Sequence, residues 1–161
     1  MNKSQNIKFV AMRACVSINS RSNNTSESLD TSGYNEALIV FSHGTSGGSD
    51  ALAGFYLEES DDNATFTTID EATVGNAACV GIDGTAITTA DLTPDDSVVF
   101  HVDLIKRKRY IRAYIDNSNN ASRCAVWALL GTPSNIGDVT NANMVKSEGS
   151  GTERYFNVPG A

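Results

Sequence analysis

Two histidines, three cysteines and one tryptophan are all that this chain of 161 residues holds of those types, and each scarcity narrows its chemistry. Cys15, Cys79 and Cys124 are odd in number, far apart and without a C-x-x-C pair. They read as reduced, mostly buried, small apolar side chains. No apolar run approaches the ~18 residues of a membrane span. The first residues, MNKSQNIKFVAMRACVSIN, start basic, but Lys8 and Arg13 interrupt the apolar stretch, which makes a poor signal peptide. The expectation is a protein that stays in the cytoplasm where it is made. Size suits one domain. A formal net charge of −7 disfavours specific nucleic-acid binding.

The largest absence is positional. From Ser22 to Ile105 there is no lysine or arginine, while the same span holds fifteen acids. Lys3, Lys8, Arg13 and Arg21 come before it; Lys106, Arg107, Lys108, Arg109 and Arg112 follow it. Charge ordered in this way would let copies, or a copy and a neighbour, dock by unlike charge.

What is present is period-two alternation. Strands are expected at 7–16, 37–41, 51–58, 66–69, 97–105, 109–115 and 123–130. Shorter ones are expected at 79–82 and 86–88, around the Asp83-Gly84 turn. Ala37 to Phe41 is apolar enough to be buried on both faces. Phe55 and Leu57 share a side, as do Val98, Phe100, Val102 and Leu104, and as do Ile111, Ala113 and Ile115. Ser60 to Asn63 is a turn by composition. Trp127, in the apolar run 123–130, is expected in the core. Closely spaced strands without an amphipathic helix read as an all-β chain, an antiparallel β-sandwich with extended termini. Residues 1–131 make the sandwich with its N-terminal strand, and 132–161 an extended C-terminal tail.

Gly44-Thr45-Ser46-Gly47-Gly48 fits the G-x-S-x-G pattern of a serine nucleophile elbow. An elbow needs a strand, a strained turn and then a helix. Here a second strand follows, and the only histidines are His43, beside the serine, and His101, in mid-strand. The glycines read as a loop between strands, and no catalytic residue is assigned. Asp61-Asp62-Asn63 and Asp95-Asp96 offer oxygens but lack EF-hand spacing, so neither metal nor cofactor is expected. Lys106 to Arg109 falls between two strands and reads as a turn whose charges project outward.

Two stretches carry a resemblance. FYLEESDDNATFT (55–67) is similar to a segment of small structural proteins of tailed bacteriophages, often encoded near the major capsid protein. KRYIRA (108–113) resembles a strand of the same proteins, and Arg123 to Gly131 their closing strand, which ends in LLG. The resemblance, over about residues 7–131, implies a capsid decoration or cement protein. Such a protein is not an enzyme. It binds the major capsid protein on the outside of the head and assembles as a homo-oligomer, with a trimer preferred and a dimer allowed. It would be made in the host cytoplasm and end on the virion. Lys3, Lys8, Lys106, Arg107, Lys108, Arg109, Tyr155 and Phe156 are the candidate contacts. The same motifs also look like discoidin-type jelly rolls. This favours a jelly-roll-like sandwich and leaves carbohydrate or receptor binding as the alternative.

Overall fold

The computed structural model describes residues 7–18, 24–44, 52–81, 84–92, 97–117, 122–131 and 154–158. Their strands are β1 (Lys8–Ile18), β2 (Leu29–Asp30), β3 (Glu36–Gly44), β4 (Gly54–Ser60), β5 (Thr67–Thr73), β6 (Ser97–Asp103), β7 (Tyr110–Asp116), β8 (Ser122–Gly131) and β9 (Arg154–Val158). Alternation sets their faces. In β7, Ile111, Ala113 and Ile115 are fully buried, while Tyr110, Arg112 and Tyr114 are half-exposed. Phe55 and Leu57 do the same in β4, and Val98, Phe100 and Val102 in β6. Among the described residues no helix is long and apolar enough to cross a membrane.

The strands form two sheets, in the orders β1-β8-β3-β6-β9 and β2-β7-β4-β5. β1 pairs with β8, β2 with β7, β3 with β6 and β4 with β5, every pair antiparallel. This is one long hairpin rolled up on itself, the wrapping of a jelly roll. Phe55 of the smaller sheet lies 4.3 Å from Phe41 and 5.3 Å from Phe100 of the larger, ring centre to ring centre. These three buried rings join the two layers. At one edge, Ser26 N donates to Ala113 O and Glu27 N to Met12 O, both at 2.8 Å. Residues 24–27 thereby tie β1 of one sheet to β7 of the other.

Three features differ from the sequence reading. The span between the strands expected at 7–16 and 37–41, where no strand was expected, contains β2. The expected tail contributes β9, which lies parallel to β6 as the fifth strand of the larger sheet. A strand with so little apolar periodicity is recruited by main-chain pairing, which composition does not report. Third, Trp127 is not in the core. Cys124, Val126, Ala128 and Leu130 take the inner face of β8, so Trp127 points out, half-buried, and stacks on Phe9 at 5.3 Å. In a run apolar on both faces, hydrophobicity alone cannot tell one face from the other.

Of the hairpin expected around Asp83-Gly84, the described residues show paired arms: Val80 bridges Ala86, Gly81 N donates to Thr85 O at 2.8 Å and Ile87 N to Cys79 O at 3.0 Å. Gly84 there takes a φ of 77°, which a side chain would resist. The Ser60–Asn63 turn forms as expected. Asp62 Oδ1 accepts from Ser60 Oγ at 2.8 Å, Ala64 N at 2.9 Å and Thr65 N at 2.8 Å. Asn63 adopts the left-handed φ of 58° that asparagine tolerates.

Candidate functional site

The larger sheet aligns Lys8, Leu130, Ala37, Val102 and Val158 in one row across its five strands. The chain therefore enters β1 and leaves β9 at the same end of the sandwich. The turn between β6 and β7 lies there too, because Leu104 N donates to Asn35 O and Asn35 N to Gly131 O. Ile105 at its tip is 69% exposed, Ile7 is 43% exposed, and Lys106 is exposed between them and the paired cations of the turn.

Of the other cations of this turn, Arg107 does not project outward as expected, whereas Lys108 and Arg109 stay at the surface but are paired. The Arg107 side chain is 4% exposed; its Nη2 is 3.3 Å from Glu71 Oε2 and its Nη1 3.8 Å from Glu59 Oε1. Lys108 Nζ donates to Thr67 Oγ1 at 3.1 Å, and its main-chain N to Glu59 Oε2 at 3.2 Å. Arg109 donates twice to Asp30, from Nε at 3.0 Å and Nη2 at 2.8 Å. That fork holds the Asp30 carboxyl down to about 2, helped by the Ser32 N–H. Arg112 Nε donates to Glu58 at 2.7 Å. The basic segment is thus paired with the acidic middle of its own chain. The charge order along the sequence acts first within the molecule.

Lys8 is exposed at the start of β1, near enough to Asp30 to favour its charged form. Lys3 lies outside the described residues. Tyr155 and Phe156 pair through the main chain with Val99 and Phe100; their side chains are outside the description. Ser46 also lies outside the described residues. His43 is 3% exposed on the inner face of β3, alongside Phe41. His101 faces out, with its Nε2 at 3.4 Å from Glu36. Asp62, once offered as a cation ligand, spends its carboxylate on its own turn. The Thr65 and Ala64 N–H groups hold it at about 2. Among the described residues no group of three His, Cys, Asp or Glu side chains is placed to hold a metal.

Two outer faces complete the surface. On the smaller sheet, Tyr56 and Tyr114 stack at 4.7 Å beside the Arg112–Glu58 pair, and the Arg112 guanidinium lies 3.9 Å over the Phe66 ring. On the larger sheet, Leu38 and Val99 form an apolar cluster with Val40 and Leu129. The sequence signalled this second face through the two-sided apolarity of 37–41. Nothing in the sequence signalled the pairing of Arg107 with Glu71.

No family model matches this chain, and no curated protein matches it. Among solved structures it is similar to the PBSX exported protein XepA, with a TM-score of 0.44 and 16% identity. The match covers 93% of this chain and 45% of that one, so the chain spans about half of the neighbour's length.

Proposed function

We propose that this protein is a non-enzymatic structural protein that decorates the outside of a tailed-bacteriophage head and reinforces it. The observation that carries the reading is the shared exit of both ends of the described chain. Lys8, where β1 starts, and Val158, where β9 ends, lie at the end that also presents exposed Ile7, Ile105 and Lys106. A jelly roll offering one apolar, partly cationic end, where β1 starts and β9 finishes, suits attachment by that end to a protein shell. Strand-like pairing and several weak contacts per copy then sum to stable binding. The motifs at 55–67, 108–113 and 123–131 support the same class. The major capsid protein is the partner in this reading, and the virion surface the location.

The test is co-sedimentation with undecorated phage heads across a salt series. Wild-type protein is expected to pellet with the heads. Ile105→Ser combined with Lys106→Ser, both exposed positions, is expected to keep the fold and weaken attachment. Wild-type protein that never pellets with heads overturns the reading.

A second reading, a carbohydrate- or receptor-binding module, draws support from the Tyr56–Tyr114 stack beside Arg112 and Glu58. Aromatic rings next to a charged pair are the means by which a surface holds a hydroxylated ligand. Binding to a glycan array, lost on Tyr114→Ala, would favour it. Jelly rolls serve both viral shells and lectins, so fold alone does not choose between them.

A further inference from the structure

The outer face of the larger sheet carries an apolar patch at its middle, bordered by His101 and by the Ser42–Ser97 pair, where a solvent-facing sheet is ordinarily polar. Phe9, Leu129 and Leu38 make one row across the strands, and Trp127, Val40 and Val99 the adjoining row. Phe9 is 65% exposed, Trp127, Val40 and Leu129 are half-buried, and Leu38 and Val99 are buried at the centre of the patch. The two ends of this face carry opposite charge. Glu36 and Asp103 share a row with Gly131 at the end where β8 finishes. Arg123, opposite Gly44, is exposed at the other end. The Trp127 row lies midway between them.

We propose that this face pairs with the same face of a second copy about a two-fold axis, with the strands of the two copies antiparallel. A two-fold contact brings the same patch of both molecules together. It can be made in two ways. With the axis along the strands, the acidic ends meet each other. With the axis across the strands, β8 lies over β8 of the other copy, Arg123 of each copy meets the Gly131 end beside Glu36 on the adjoining strand, and the Trp127 rows superpose at the centre. Only the second joins unlike charges, and it also removes from water Phe9 and the parts of Trp127, Val40 and Leu129 that are still exposed. Four strand spacings of ~4.8 Å by eight residues of ~3.4 Å give roughly 500 Å² per copy. Two such faces bury about 1,000 Å², the lower limit for a specific interface. The dimer is therefore a reversible one that separates on dilution.

The experiment is sedimentation velocity over a concentration series, with fluorescence of Trp127, the only tryptophan, as a probe of the face. Mass is expected to double with concentration while the emission moves to shorter wavelength. Val40→Lys is expected to weaken pairing by roughly tenfold or more. Arg123→Glu and Glu36→Arg are each expected to weaken self-pairing, and a mixture of the two to regain it, because the mixed dimer restores unlike charge at both ends. Circular dichroism melting establishes that each variant is folded. A protein monomeric at every concentration overturns the proposal. So does a dimer indifferent to Val40→Lys, a trimer or larger ring, or a mixture that fails to regain affinity. Failure to pellet with phage heads bears on attachment alone, so the two readings fail separately.

Discussion

Arg107 Nη2 stands 3.3 Å from Glu71 Oε2, and the arginine side chain is 4% exposed. Glu59 approaches the same guanidinium at 3.8 Å. Removing one partner from a withdrawn pair leaves charge without compensation. Arg107→Ala is expected to cost about 2–3 kcal/mol, less than a fully buried pair because Glu71 is partly solvated. Lys106→Ala, one residue away and exposed, is expected to change stability by less than about 0.5 kcal/mol. Urea titration of both variants checks the contrast. Equal, small losses would mean that Arg107 is not held as described.

Trp127 and Phe55 give a second contrast. Phe55 is fully buried between Phe41 and Phe100, and Phe55→Ala is expected to cost about 3–5 kcal/mol. Trp127 is half-buried against Phe9, and Trp127→Ala is expected to cost about 1–2 kcal/mol at concentrations where the protein is monomeric. The reverse order in denaturant titration would put Trp127 back in the core.

The cysteines differ in reach. Cys15 is exposed, whereas Cys79 and Cys124 are buried, and burial pushes both buried thiols up to about 11. One thiol of the three is expected to react quickly with a disulfide reagent at neutral pH, and the other two only on unfolding. Cys15→Ser should remove the fast phase.

Asp30 and Asp62 set an acid limit. Both carboxyls sit at about 2 in the folded protein against an ordinary 3.8. A lowered folded value means that the stabilisation is complete above the unfolded value and is lost as pH falls through the folded one. Stability is expected to decline between about pH 4 and pH 2. Asp30→Asn, which removes the fork from Arg109, should flatten part of that decline. Carboxyl titrations by NMR with midpoints near the ordinary value would refute both assignments.

Ser46→Ala is expected to leave any turnover of ester or peptide substrates unchanged. His43 is turned into the core on β3, and the next described element is the strand β4, where an elbow needs a helix. A large loss of turnover in the variant would reopen a hydrolytic role.

Much of the architecture was legible because alternation reports which side of a strand is dry. Ile111, Ala113 and Ile115 announced β7, and Val98, Phe100 and Val102 announced β6, since period two maps directly onto the two faces of a pleated strand. The turn at Ser60–Asn63 was legible because aspartate and asparagine cap such turns locally. Trp127 was misread because its strand is apolar on both sides. β2 and β9 were missed because two- and five-residue strands are held by main-chain pairing with distant partners.

The sequence by itself determined an all-β chain with alternating strands, the local turns, and a charge order of basic, acidic, basic. Those properties depend on neighbours within a few residues. Only the tertiary structure decided where the charges go. Arg109 meets Asp30, seventy-nine residues away in the chain, and Arg107 meets Glu71, thirty-six away. The rolled hairpin β1·β8, β2·β7, β3·β6 and β4·β5 brings such partners together. It also lines up Phe9, Trp127, Val40 and Val99 from four different strands into one outer face. Neighbours of that kind are set by sheet register, and register between strands more than a hundred residues apart leaves no mark in the local sequence.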